Sequence, residues 1–427
     1  MRIFKSILFG LLCTFIVGCI PAHAVVDANQ GIDVEARSAI LMEVETGKII
    51  FDKNSKEKFA PASVTKIMTM LLTMEAIDNG KIKLEDIVTV SENAQRMGGS
   101  TMLLEAGEVR TVEDLLKGVA IASGNDAAVA LAEYLGGTVE NFVKKMNDKA
   151  KELGMKDTTF QNPTGLPTDN HLTTAYDISI MSKELLKHEG ILKYTGTYME
   201  TISANRKSPI ELVNHNKLVR FFSGCDGLKT GFTNEAKYCI SATAQRNDVR
   251  LLAIIMGAPT YKIRNKDASM LLNYGFSLFE KKEIISKDSE IGKHQFGNNK
   301  DNYIVLKAAN SLCTVVEKGS DYKVSTKINV YKNKKNIKQG DIVGEVMVII
   351  DGREAGKVPV YSDRDIKING FFDKISGFFN KEDPENQVEE ENKQNIENVQ
   401  QNNENAQVNP EHNEQTNIEN PENNINN

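Results

Sequence analysis

Short alternating runs of apolar and polar residues open and close the first 280 residues, and the stretches between them carry helical spacing. In "SAILMEVETGKIIFDKN", residues 38–54, two apolar runs flank the turn-forming "ETGK", which predicts a β-hairpin. The next segment, "SVTKIMTMLLTMEAIDNG" from Ser63, is apolar on nearly every side and stops at Asn79-Gly80, so it reads as a buried central helix. "VEDLLKGVAIASGNDAAVALAEYLGG" reads as two helices broken at "SGN". "GLKTGFT", "AKYCISATAQRN" and "VRLLAIIMGAPT" read as consecutive strands, the last two joined by "RND" and therefore antiparallel, and "KDASMLLNYGFSLFEKK" as a helix packed back on that sheet. From about residue 296 the texture changes to short strands and Gly-rich turns, as in "KINVYKNKKNIKQGDIVGEVMVIIDGREAGKVPVYS", the mark of a small separate all-β domain.

The two chain ends differ from this globular pattern. "MRIFKSILFGLLCTFIVGCIPAHA", residues 1–24, has a basic start, an apolar run and a small-x-small site ending at Ala24, which predicts an export signal. "IVGC" within it offers a competing site, a lipid-attachment box that would make Cys19 the mature N-terminus. Near the other end, residues 366–381 place Ile368, Phe371, Phe372, Ile375, Phe378 and Phe379 at helical spacing opposite Asp373 and Lys374. Such a face suits a membrane interface, with docking on the protein itself as the other reading. Residues 382–427 are rich in Asn, Glu and Gln and should be disordered.

Charge narrows the partners. The tail holds 12 acidic residues against Lys393 alone, more than the whole chain's net charge of -6, so the folded part is slightly basic and lacks the strong positive face that nucleic acid requires. Three cysteines remain after export, Cys225, Cys239 and Cys313. Their wide, odd spacing makes neither a disulfide framework nor a zinc site, and no metal or cofactor is expected.

Chemistry concentrates in "PASVTK". Ser63 and Lys66 stand three residues apart, on one face of a helix, where an amine could take the proton of the hydroxyl. S-x-x-K also occurs at Ser55/Lys58 and Ser320/Lys323, and S-x-N at Ser91 as well as at Ser123, so no single motif decides. Their order and setting do: Ser63 at the start of a buried helix, Ser123 and Asn125 in an interhelical turn, and Lys229-Thr230-Gly231 on a strand. Lys66 can act as a base only when neutral, which burial or a cationic neighbour such as Lys229 would bring about. His171 and His215 invite a Ser-His-Asp reading, but G-x-S-x-G is absent from the sequence and both read as structural.

The trio S-x-x-K, S-x-N and K-T-G resembles that of penicillin-binding proteins and serine β-lactamases. With "ASVTKIMT", "ASGNDAAVALAE", "NPTGLP", "HLTTAYD" and "DGLKTGFT", the chain more closely resembles the low-molecular-weight serine D-Ala-D-Ala carboxypeptidases. The resemblance implies an α+β fold: a β-lactamase/transpeptidase-like domain over residues 30–285, with an antiparallel sheet flanked by helices and an all-helical part, then a small β domain over 296–365. It implies Ser63 as nucleophile, Lys66 as base, Ser123 as proton relay and Asn125 as orienting group, with the backbone N–H groups of Ser63 and Phe232 as oxyanion hole. Lys229, Thr230, Gly231, Thr233 and, in some relatives, the position of Arg264 would hold a peptide and its terminal carboxylate. Phe232 stands where relatives carry histidine, which should tune substrate choice. The implied partners are the peptidoglycan stem peptide, β-lactam antibiotics and the outer face of the cytoplasmic membrane. Two other functions stay open at this point. A class A-like β-lactamase would need a deacylating glutamate in an E-x-x-L-N loop, not found between Asn125 and Lys229; a penicillin-binding sensor or wall scaffold would acylate without turnover.

Overall fold

Every residue of "LLAIIMGA", residues 251–258, is buried, and the sheet explains why, because both of its faces are covered. The computed structural model describes residues 32–202, 208–295, 303–331 and 336–367. Five strands form the first sheet: β1 (Ser38–Glu43), β2 (Ile49–Lys53), β3 (Cys225–Thr233), β4 (Lys237–Arg246) and β5 (Val249–Ala258), all antiparallel in the order β2-β1-β5-β4-β3. β3, which carries Lys229 to Gly231, is thus an edge strand. Along β5, Leu252, Ile254 and Met256 join the main apolar core. On the opposite face Leu251 lies so close to Gly275 that a Cβ there would sit 2.5 Å from its side chain.

Among the described residues, six helices of nine or more residues flank this sheet: α1 (Lys66–Asp78), α2 (Val112–Ala120), α3 (Asn125–Gly136), α4 (Val139–Glu152), α5 (Ala175–Leu185) and α6 (Tyr261–Leu278). α1 is the hub. Ile67, Met68, Met70 and Leu71 are all fully buried, and α2 to α5 pack around it. Caps fix the starts: Thr111, Thr138, Thr174 and Thr260 each accept the N–H three residues on, for α2, α4, α5 and α6. α6 begins at Tyr261 and ends at Leu278, where the sequence pattern extended it to Lys282. Phe279–Ile285 runs instead as a strand, with only its ends, Phe279 and Ile285, buried; four charged residues in a row between them carry neither a helical nor a strand period.

The second compact unit begins at Lys281, ahead of residue 296, and the first ends at Glu280 rather than at residue 285. It holds β6 (Glu290–Gln295), β7 (Tyr303–Ala308), β8 (Val324–Val330), β9 (Ile342–Ile350) and β10 (Arg353–Ser362) in the order β6-β7-β10-β9-β8. Ile304, Leu306, Val346, Val348, Val358 and Val360 form its own core. Ile366–Lys367, the first two residues of the expected amphipathic helix, pair as a short strand with Asn336–Ile337. The rest of that segment, the export signal and the tail lie outside the described residues. Among the described residues no helix is long and apolar enough to cross a membrane.

Candidate active site

The chain enters α1 through a tight 3₁₀ turn, Ala62–Thr65, so Ser63 stands in that turn and Lys66 begins the α-helix. In 3₁₀ geometry residues three apart eclipse one another, which brings the two side chains closer than an α-helical turn would. Ala62 has φ +48°, a left-handed conformation costly for any residue with a Cβ, and Ser123 has φ +62°. Ala62 precedes Ser63 in the chain, and Ser123 stands two residues before Asn125. Gly165 seals the first: at φ +86°, a Cβ there would lie 1.8 Å from the Ala62 carbonyl oxygen, so only glycine lets the two backbones meet.

Lys66 is fully buried. Its Nζ lies 2.6 Å from Asn125 Oδ1, 2.7 Å from the Thr164 carbonyl and 3.1 Å from Ser63 Oγ. Asn125 is itself fixed, because its Nδ2 donates to the Gly98 carbonyl at 2.6 Å and its backbone N–H to the Ser100 carbonyl at 2.7 Å. Two of the three oxygens around Nζ are carbonyls, which only accept; the hydroxyl of Ser63 can donate. A neutral amine, with two N–H groups and one lone pair, matches that set in full. Burial drives the Lys66 amine well below its ordinary range, the nearby Lys229 charge lowers it further, and Asp126 pulls the other way. Asp126 is occupied elsewhere: its carboxylate accepts the backbone N–H groups of Met102, Leu104 and Ala127 and so pins the loop before α2 beside the Ser123 turn.

Lys229 is also buried, with its Nζ donating to the Thr230 carbonyl at 3.1 Å. Desolvation, then the Arg264 guanidinium, bring it down to about 7. Arg264 is buried in the first turn of α6, lowered to about 10 by desolvation, and its guanidinium binds Asn265 Oδ1 at 2.9 and 3.0 Å. Thr233 Oγ1 accepts the Ala236 N–H at 3.0 Å, which shapes the β3–β4 turn and leaves its own proton to donate. Gly231 meets the 3₁₀ turn directly: a Cβ there would stand 3.0 Å from Ser63 N and 3.1 Å from Ala62 Cβ. Gly231, the residue before Phe232, thus stands against the Ser63 backbone N–H.

The structure therefore joins Ser63, Lys66 and Asn125 by direct contacts, and brings Lys229 and Gly231 to the same cleft from the edge strand. Ser123 joins them through the turn that delivers Asn125. Arg264 acts on the site through its field on Lys229. One feature is not legible as functional in the sequence. The Thr164 carbonyl holds Lys66, and its only signal is the glycine after it in "NPTGLP". His215, structural by its sequence pattern, lies close enough to feel the same charges. One side of it faces solvent, while desolvation of the ring, followed by the charges of Lys229, Lys217, Lys66 and Arg264, holds it down to about 4, so it stands as a neutral imidazole close to the site cations. His171, by contrast, is a buried post: its Nδ1 accepts the Gln161 N–H, its Nε2 meets Thr65 Oγ1 at 2.9 Å, and burial keeps it neutral.

Comparison with known proteins identifies the family. The family described as D-alanyl-D-alanine carboxypeptidase matches residues 24–260, and that described as penicillin-binding protein 5, C-terminal domain, matches residues 279–368. D-alanyl-D-alanine carboxypeptidase DacF of Bacillus subtilis is 44% identical over 375 residues, covering 87% of this chain and 96% of its own length. DacC of Escherichia coli is 33% identical over 389 residues, covering 88% and 96%. Among solved structures, penicillin binding protein 5 from Haemophilus influenzae superposes with a TM-score of 0.61 at 31% identity, over 79% of this chain and 98% of its own. Penicillin-Binding Protein D2 from Listeria monocytogenes, in its ampicillin-bound form, gives 0.52 at 32% identity, over 57% and 99%.

Proposed function

The chain belongs to the D-alanyl-D-alanine carboxypeptidase family, and from that premise we propose that it is a serine hydrolase that removes the terminal D-alanine of peptidoglycan stem peptides and is acylated by penicillins. The observation that carries this reading is Lys66 Nζ, buried and flanked by two carbonyl acceptors and the Ser63 hydroxyl. Its lone pair takes the Ser63 proton as Oγ attacks the penultimate carbonyl. Charge that develops on the carbonyl oxygen meets the backbone N–H groups of Ser63 and Phe232, an interaction worth about 3–4 kcal/mol of barrier per donor in comparable sites. Ser123 passes a proton to the leaving amine, and Asn125 holds Lys66 in line. The peptide adds to the β3 edge as a further strand, with its terminal carboxylate toward Lys229, Thr230 and Thr233 and the Arg264 charge behind them. Water then cleaves the Ser63 ester.

The enzyme acts outside the cytoplasm, on the wall side of the membrane. It reaches that place through the leader of residues 1–24 and is held there by the aromatic face of residues 366–381. The decisive test is Ser63→Ala in purified protein: both release of D-alanine from a pentapeptide and covalent labelling by penicillin should disappear, and persistence of either refutes the assignment. Free D-alanine from the wild type also separates a carboxypeptidase from a scaffold that acylates without turnover.

A further inference from the structure

Phe232 is 48% exposed beside the proposed oxyanion hole, an uneconomical position for a phenyl ring unless something covers it. Its ring stacks on Tyr238 with centroids 4.3 Å apart, and Tyr238 meets Tyr261 edge-on at 6.4 Å. Phe232 and Tyr238 are directly opposed on β3 and β4. Tyr261 opens α6 one turn before Arg264 and is 52% exposed. Three aromatic rings thus run as a row from Phe232 on the edge strand inward over β4 to the start of α6.

Strand geometry says which part of a bound peptide meets them. A peptide paired antiparallel to β3, with its scissile carbonyl on the Phe232 N–H, sets its penultimate residue opposite Phe232 and its terminal residue opposite Gly231. Paired L-residues share a face of the sheet, so an L-residue at the terminus would direct its side chain to the Gly231 face. That face is closed: a single Cβ on Gly231 already stands 3.0 Å from Ser63 N. Inverting the stereocentre sends the side chain to the other face, shared by Thr230 and Phe232, where the aromatic row lies. We propose that Phe232, Tyr238 and Tyr261 seat the side chain of the terminal D-residue, and that this chain releases D-residues with large apolar or aromatic side chains as well as D-alanine.

The chemistry is the proposed hydrolysis unchanged: the peptide C–N bond breaks as Ser63 Oγ bonds the acyl carbon, the Ser63 proton goes to the leaving amine, and water then gives hydroxide to the acyl carbon and returns a proton to Ser63 Oγ. Only the seat of the leaving residue is new, and the inference rests on the carboxypeptidase reading. The open platform sets no rear wall at the size of a methyl group, and ring-to-ring contact favours an aromatic occupant.

The test compares N-acyl-L-Lys-D-Ala-D-Ala with N-acyl-L-Lys-D-Ala-D-Phe, reading kcat/KM for each released D-amino acid per penicillin-titratable site, so that misfolded protein is not counted. The wild type should cleave the D-Phe peptide within about tenfold of the D-Ala peptide. In Phe232→Ala the D-Phe to D-Ala ratio should fall at least tenfold, and in Tyr261→Ala, a surface change on a helix, it should fall in the same direction. Release of D-alanine without measurable release of D-phenylalanine, or a ratio unmoved by both substitutions, overturns the inference and leaves the carboxypeptidase standing. A wild type that releases neither residue overturns both.

Discussion

Lys229→Met should make this protein more stable and less active, and the size of the first effect follows from burial. Lys229 is 2% exposed, with its amine lowered from 10.5 to about 7, first by desolvation and then by Arg264. Each tenfold loss of proton affinity on folding is worth about 1.4 kcal/mol, so the protonated side chain carries a cost of order 4–5 kcal/mol at neutral pH. Methionine has a similar length, no charge and an adaptable stem. After relaxation around the new side chain, a gain of about 2–4 kcal/mol is expected, or roughly 5–15 °C in Tm for a unit of this size. The sign of the pH dependence is fixed. Between pH 7 and 10.5 the unfolded chain binds a proton at this site that the folded chain does not, so wild-type stability rises with pH through that window. The variant lacks that slope, and its advantage should shrink as pH approaches 10. Calorimetry at pH 6.5, 8 and 9.5 reads this directly. A variant that melts below the wild type at pH 6.5, or an advantage that does not diminish with pH, refutes the reasoning. Because the Lys229 charge also depresses Lys66, its removal should shift the acid limb of penicillin acylation to higher pH.

Other outcomes follow from single contacts. Gly165→Ala, which forces a Cβ onto the Ala62 carbonyl at a left-handed φ, should cost more than about 2 kcal/mol by urea unfolding and slow acylation, because the displaced backbone carries Ser63. Asn125→Ala removes one of the two carbonyl acceptors of Lys66 and should lower kcat/KM for D-alanine release by about 10²-fold or more, while Asn125→Asp, whose negative charge holds the proton on Lys66, should move the acid limb of the pH profile upward. Truncation before Ile366 should move the protein from the membrane to the soluble fraction; unchanged fractionation counts against the aromatic anchor.

What the sequence reveals and what it hides have separate physical reasons. Ser63 and Lys66 are legible because an amine three residues from a hydroxyl, inside a helix of Ile, Met and Leu, is costly unless it is used. The antiparallel strands around "RND" are legible because so short a link, Asn247-Asp248 between Arg246 and Val249, allows no crossover. The hydrogen-bonding partners of Lys66 are less so: Asn125 announces itself through its motif, whereas a backbone carbonyl such as that of Thr164 leaves no side-chain signature. The neutral state of His215 is hidden because it is set first by desolvation and then by Lys229, Lys217, Lys66 and Arg264, most of them brought near only by the fold. The end of α6 at Leu278 and the early start of the second unit are hidden for a common cause, a charged stretch from Phe279 that marks neither period and takes its form from tertiary pairing.

The central claim is that Lys66 is a neutral amine in the resting protein. Lysine side-chain NMR of the full chain, with the Lys66 signal assigned by its loss in Lys66→Arg, measures this without reference to any substrate. The account predicts a Lys66 titration midpoint well below 10.5, with the neutral form already present in the working pH range. A Lys66 amine that stays protonated up to its ordinary value would contradict it.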